Sequence, residues 1–401
     1  MSLARAARES LDRIRANGTH RRMRVLEGAQ SRHMIVDGAD VLLFAGSNYL
    51  DLAHHPEVVA ASAGAAKEYG CAAGGSRLIS GNLDLHESLE AELATFFGSE
   101  AALAFNTGYM ANLGVIPALV GPGDAIVSDE LNHASIIDGA RLSRARVCVF
   151  RHGDLDSLER TLADAANRCR RVLLAIEGIF SMDGDLAPLP AMIQLAKRYD
   201  AMVLFDDAHG TGTLGAHGRG SAEHLAVTEG IDVLLGTLGK SLGSFGAFVV
   251  GSHVLRELLV NVARSFIFSC ALAPPQVAAS RAALRLVQSE PWRRWRLQAN
   301  AARLRSRLAE LGISTAPSRS HIVPVVIGDN TETMAICQAL LERGFYAQGI
   351  RHPSVPAGTA RLRITPMATH SEREIDALAD CLADIMSHRA SARDQNARAL
   401  A

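Results

Sequence analysis

Seven short apolar runs recur through the middle of this chain, at 101–105, 124–128, 146–150, 171–176, 202–205, 232–236 and 246–250. Several hold almost no polar residue, so neither of their faces can be left in water. Between them lie segments with helical spacing of apolar residues, such as Leu155 to Asn167 and Ala191 to Tyr199. Buried strands alternating with amphipathic helices imply an α/β fold, with a mainly parallel central sheet covered on both faces.

The pattern changes near residue 274. Pro274-Pro275 opens a helical tract over roughly 276–311, and His321 to Ile327, Phe345 to Ile350 and Arg361 to Thr365 read as strands of a smaller sheet. Ser371-Glu372-Arg373-Glu374 is a capping box, and Ile375, Leu378, Leu382 and Ile385 give the helix it opens an apolar stripe. At the other end, residues 1–30 read as a basic amphipathic helix and 31–45 as a strand pair turning at Asp37-Gly38. The expected organisation is an N-terminal helix and strand arm over 1–45, a large domain over 46–288, a smaller C-terminal α+β domain over 289–388, and a polar tail over 389–401 that frays.

Of 401 residues, 48% are hydrophobic, enough for two cores. A formal net charge of −1, with Lys and Arg spread along the chain, argues against a nucleic-acid surface or a polybasic membrane patch. Six cysteines without a CxxC pair argue against a zinc site and a disulfide framework. No apolar run reaches the roughly 18 residues of a membrane span, and Met1-Ser2-Leu3-Ala4-Arg5 opens no secretory signal, so a cytoplasmic enzyme is expected.

Two of the runs end in polar, glycine-marked loops. Met202-Val203-Leu204-Phe205 stops at Asp206-Asp207-Ala208-His209-Gly210, and the run at 232–236 stops at Thr237-Leu238-Gly239-Lys240-Ser241. Ligands of open α/β sheets bind beyond such strand ends. An amine that can form a Schiff base, near a carboxylate that can hold a pyridinium nitrogen, is what pyridoxal 5'-phosphate (PLP) requires of a protein. Taken singly, Asp206 reads as well as a strand-end cap, His209 as a surface histidine and Lys240 as a solvated loop lysine. Thr237 tips the balance, because its hydroxyl could hold a phosphate beside the amine. Asp207 should point away from Asp206. No further group with ligand spacing accompanies Asp206, Asp207 and His209, so no metal is expected. Gly239-Lys240-Ser241 is like the end of a P-loop, but Leu234 stands where that motif needs Gly, and the NTPase reading fails.

Weaker signals surround these. Phe105 to Asn112 looks like a strand entering a helix whose first N–H groups, at Thr107, Gly108 and Tyr109, would face an anion; a plain tight turn explains the same residues. His133 follows another strand and could stack on a planar cofactor or simply pack. Arg361 and Arg363 alternate with Leu362 and Ile364, which suits carboxylate recognition or a solvated face.

The segments Glu177 to Leu189 (EGIFSMDGDLAPL) and Asp206 to Gly212 (DDAHGTG) resemble the α-oxoamine synthase family of fold-type I PLP enzymes, and the match runs from about Phe44 to Ala383. Val355 to Arg363 and Val326 to Asn330 are most similar to the branch serving biotin biosynthesis. The resemblance implies the PLP-dependent transferase fold of type I and a role for each matching residue. Lys240 would be the Schiff-base lysine and Asp206 the partner of the ring nitrogen. His209 would stand at the phenolic oxygen, with Ser181 close by, and His133 on the ring. Gly108, Tyr109 and Thr237 would hold the phosphate, Arg361 the amino-acid carboxylate, and Thr359 would lie near the thioester. The family is dimeric with shared active sites, so Ser269 and Cys270 would fall where the neighbouring subunit reaches the phosphate. Here Ser47 replaces an Asn that helps hold the substrate carboxylate, Asp51 replaces a Gly, and Cys270 stands where Thr or Ser is common. The implied reaction condenses an L-amino acid, alanine for this branch, with a pimeloyl thioester of coenzyme A or a carrier protein, releasing CO2 and thiol. Sister enzymes using glycine, serine or another acyl group are the alternative. A non-catalytic partner subunit is a remote one, since Lys240, Asp206 and His209 are all present.

Overall fold

Each of the seven runs is a strand. The computed structural model describes residues 2–227 and 229–400 and divides into two compact units, one of residues 47–181 and 185–295, the other of residues up to 46, 182–184 and 296 onwards. The second unit begins with the helix Leu3–Ala16 and the strands β1 (Leu26–Glu27), β2 (His33–Val36) and β3 (Ala39–Leu43). The helix ends at Asn17, so the expected helix over 1–30 is too long: Asn17-Gly18 is a stop signal, and residues 17–25 are irregular.

The larger unit holds β4 (Ala101–Phe105), β5 (Ala125–Asp129), β6 (Arg146–Phe150), β7 (Val172–Glu177), β8 (Met202–Asp206), β9 (Val233–Thr237) and β10 (Ala247–Gly251). They form one sheet in the order β4-β10-β9-β8-β7-β5-β6, parallel except for β10, which runs antiparallel to both neighbours. Side-chain alternation splits each central strand between two cores. Ile126, Leu173, Ala175, Leu204 and Leu235 pack with Ala111, Val115 and Ile116 of the helix Gly108–Leu119 on one face. Val127, Leu174, Ile176, Val203 and Phe205 pack with Leu158, Leu162 and Met192 of the helices Leu155–Arg168 and Leu189–Arg198 on the other. β8 therefore sends Asp206 to the face of the Gly108–Leu119 helix and Asp207 to the opposite one.

The helical tract after Pro274 is two helices, Pro274–Ser289 and Trp292–Glu310. Pro291 breaks it, because proline has no N–H to donate and biases Glu290 away from helical angles. In the smaller unit β11 (Val323–Gly328), β13 (Gln348–Ile350) and β14 (Ala360–Ile364) form an antiparallel sheet, while β12 (Phe345–Tyr346) pairs in parallel with β3. The expected single strand over Phe345 to Ile350 thus serves two sheets, changing at Ala347. The expected separate arm likewise lies within this unit through the β3–β12 pairing. The capping box forms as read, with Ser371 Oγ accepting from the Glu374 N–H and the Glu374 carboxylate accepting from the Ser371 N–H at 2.6 Å. Its helix runs Glu372–Leu400, across the tail expected to fray.

Candidate active site

The carboxyl ends of β5, β7, β8 and β9 lead into His133, Ser181, Asp206, His209, Thr237 and Lys240. His209 stands three residues beyond β8 and Lys240 three beyond β9, and the Lys240 Nζ lies 3.0 Å from His209 Nε2. His209 Nδ1 lies 2.8 Å from the hydroxyl of Tyr49, which is fully buried. Amine, imidazole and phenol thus form one line of hydrogen bonds. Tyr49 was not anticipated as a site residue, since nothing in its local sequence says that it reaches His209.

Asp206 is buried at the end of β8, where a carboxylate must find donors. Its Oδ2 accepts from Asn112 Nδ2 at 2.8 Å and its Oδ1 from the Ala208 N–H at 3.1 Å. Asn112 also donates to Ser135 Oγ, and Ser135 Oγ lies 2.8 Å from His133 Nδ1. Asn112 too escaped the sequence reading. Its signal was a buried amide on an apolar helix face, which needs a partner. Asp207 points the other way, as expected, and its carboxylate accepts from the hydroxyl and N–H of Ser221 at 2.7 and 2.6 Å. Burial pushes its pKa up to about 7.

His133 caps the helix Ala134–Ser143, and its own N–H donates to the carboxylate of Glu177 at the end of β7. Burial, opposed by the charge of Asp206 and aided by that of Lys240, lowers the pKa of the His133 ring from its ordinary value. Burial, and then the nearby Asp206, push the Glu177 carboxyl well above the usual range. Glu177 was seen only as part of a motif.

A Cβ on Gly108 would stand 3.0 Å from Thr237 Cγ2, so the start of the Gly108–Leu119 helix lies directly against the end of β9. Thr107 caps that helix, accepting from the Met110 N–H at 3.1 Å. Its first turn carries a partial positive charge beside the Thr237 methyl, and the Thr237 hydroxyl donates to the Ala208 carbonyl at 3.2 Å. The Tyr109 ring meets His133 edge-on, with centroids 6.3 Å apart. Asn106 Nδ2 donates to the Cys270 carbonyl at 2.8 Å, and Ser269 and Asn106 line one small cavity. Ser181 lies in the loop closed by the Ile179–Leu186 bridge.

Ser47 is half-buried, two residues before Tyr49. Asp51 has φ 56°, a left-handed conformation that Gly adopts freely and Asp tolerates, which explains the departure there. Arg361 and Thr359 belong to the smaller unit. Arg361 is 5% exposed, pairs with the Asp183 carboxylate and donates to the Thr359 carbonyl at 3.0 Å. Its guanidinium is therefore already engaged by a carboxylate of the chain.

Residues 39–382 match the family model described as aminotransferase class I and II. The 8-amino-7-oxononanoate synthase of Geobacter sulfurreducens is 49% identical over 385 residues, covering 96% of this chain and 98% of that protein. The same enzyme from Cellvibrio japonicus is 46% identical, covering 95% and 96%. Among solved structures, a serine palmitoyltransferase variant from S. paucimobilis with a bound PLP–myriocin aldimine superposes with a TM-score of 0.90 at 33% identity, covering 96% of this chain and 98% of that one. The 8-amino-7-oxononanoate synthase of Francisella tularensis gives 0.75 at 25%, covering 87% and 98%. The chain therefore belongs to the aminotransferase class I and II family, as an α-oxoamine synthase of the PLP-dependent fold-type I enzymes.

Proposed function

We propose that the protein condenses L-alanine with a pimeloyl thioester to form 8-amino-7-oxononanoate, CO2 and free thiol, a step of biotin biosynthesis. The observation that carries this is the Tyr49–His209–Lys240 line beside the buried Asp206. The identity to synthases of that name over nearly the whole chain supports the choice of substrates.

The residues present fit PLP. A buried carboxyl group at a strand end suits a ring nitrogen, and an amine within reach of an imidazole suits an aldehyde. A helix start against a threonine suits a phosphate. Asp206 would hold the ring nitrogen, Lys240 the aldehyde carbon, His133 the ring face, and Thr237, Gly108, Tyr109 and Ser269 the phosphate, with His209 and Ser181 at the phenolic oxygen. When bound, PLP supplies an electron sink for the negative charge that develops at the amino acid's α-carbon.

The chain's own residues do the rest. Lys240 Nζ takes the α-proton and later returns one. In either tautomer His209 stands between Nζ and the Tyr49 hydroxyl, so a proton can pass along that line. Asp206, held in place by two donors, would face the ring nitrogen. Arg361, Thr359 and Ser47 would bind the two substrates, with Arg361 leaving Asp183 for the amino-acid carboxylate.

A coenzyme A ester and a carrier-protein ester accord equally with these residues as donors, and we assign the function to a homodimer in the cytoplasm. Leu78, Ile79 and Phe268 are exposed on segments joined by the Ser76–Cys270 bridge, an apolar face suited to a second copy. The six cysteines are free thiols, as a reducing compartment favours. A second reading, a sister enzyme using L-serine and a longer acyl thioester, is favoured by the 0.90 TM-score to serine palmitoyltransferase. Thiol release measured over a matrix of alanine, glycine and serine against pimeloyl and long-chain thioesters separates them. Turnover with alanine and pimeloyl donors is expected; turnover with serine alone would select the second reading.

A further inference from the structure

His152, just past β6, stands between two carboxylates that come from different strand ends. Its Nδ1 lies 3.0 and 3.1 Å from the two oxygens of Asp129, at the end of β5. Its Nε2 lies 2.8 Å from Asp185 Oδ2, in the loop after β7. The Asp129 side chain is wholly buried, that of Asp185 is 14% exposed, and the His152 ring meets Phe180 edge-on at 4.3 Å. A neutral imidazole has one N–H and could satisfy only one of the two carboxylates; the doubly protonated ring satisfies both. Burial opposes that charge, but the hydrogen bonds and charges of Asp129 and Asp185 carry the pKa up to about 10. Glu130 accepts from the His152 backbone N–H, and Arg151 is paired with Asp154.

The two carboxylates brace the loops that carry cofactor-facing residues. Asp129 Oδ1 also accepts from the Leu131 N–H at 2.9 Å, in the turn that leads to His133. Asp185 accepts through its carbonyl from the Phe180 N–H at 3.2 Å, closing the loop that holds Ser181. We infer that His152, as an imidazolium, is a positioning residue that ties the His133 turn to the Ser181 loop. The inference rests on the proposed function only in taking those two loops to face PLP.

His152→Gln leaves Asp129 and Asp185 facing each other without a cation. Relative to wild type, PLP affinity of the variant should be nearer normal at pH 6 than at pH 8.5, because two carboxylates facing each other without a cation favour uptake of a proton. At pH 8.5 it should be lower on the order of tenfold. Adding Asp185→Asn removes the repulsion and should recover the affinity at pH 8.5. Two measurements need no cofactor. NMR of histidine-labelled apoprotein should show the His152 ring still protonated at pH 8.5. The clamp's stabilisation is full below about pH 6.5, the ordinary histidine value, and is lost as pH rises towards about 10. The wild-type apoprotein should therefore lose Tm across that window, and the double variant should not. An affinity loss equal at both pH values, a double variant no better than the single one, or a neutral His152 ring at pH 8.5 would overturn the inference. Failure of the wild type to take up PLP would instead overturn the proposed function, and the apoprotein measurements would still judge His152.

Discussion

The chain has three lysines. Lys67 and Lys197 are exposed on helices, and Lys240 alone is half-buried, with its amine 3.0 Å from an imidazole. Borohydride reduction of the yellow holoprotein should therefore attach the cofactor to the peptide containing Lys240 and to no other. Lys240→Ala should fold with an unchanged melting temperature, yet show no attachment and no turnover; normal turnover would refute its role. Asp207 makes a separate test of the buried acid at the β8 end. Its folded pKa of about 7 lies above the ordinary aspartate value, so the stability it contributes is full below about pH 4 and lost as pH rises through 7. At about 1.4 kcal/mol per pH unit this amounts to at most about 4 kcal/mol. Asp207→Asn should flatten the fall of Tm across that window. The strand ends that carry Asp206, His209 and Lys240 were legible because each closes an apolar run, although each residue taken singly had a plainer reading. Tyr49 and Asn112 were not, because what each touches lies on another element, and no local pattern encodes a partner 160 or 94 residues away.

Strand positions were legible to within a residue or so for the same kind of reason: an apolar run buried on both faces has few other places to go. What eluded the reading were changes of role inside a run, at Pro291 and at Ala347, where the periodic signal persists across the break. The antiparallel strand β10 shows how closely such elements are fitted. Phe248 sits directly opposite Gly236 of β9, and a Cβ on Gly236 would fall 2.2 Å from the Phe248 ring. The aromatic ring covers the bare glycine, so the two strands hold the loop between them, with its lysine, at close spacing. Gly236→Ala should destabilise the protein by about 1–3 kcal/mol in urea unfolding through overpacking. Combining it with Phe248→Leu should recover part of that loss. An unchanged unfolding midpoint for Gly236→Ala would show that the ring gives way freely.

For the molecule as a whole, a formal net charge of −1 leaves little repulsion to keep copies apart, and Ile79 and Phe268 are 83% and 70% exposed. Introducing Ile79→Asp with Phe268→Asp should yield a monomer in analytical ultracentrifugation, with PLP bound more weakly because Ser269 adjoins the altered face. A dimer of normal affinity would place the contact elsewhere.

The parallel pairing of β3 with β12 has a consequence for biosynthesis. The Leu42 N–H donates to the Gly344 carbonyl, so β3 leaves the ribosome long before its second neighbour β12 and stays without it until residue 345 has emerged. The sheet of the larger unit can assemble during translation, while this early ribbon keeps an open edge. Nascent chains stalled before residue 345 should be the ones that chaperones capture and that aggregate when released.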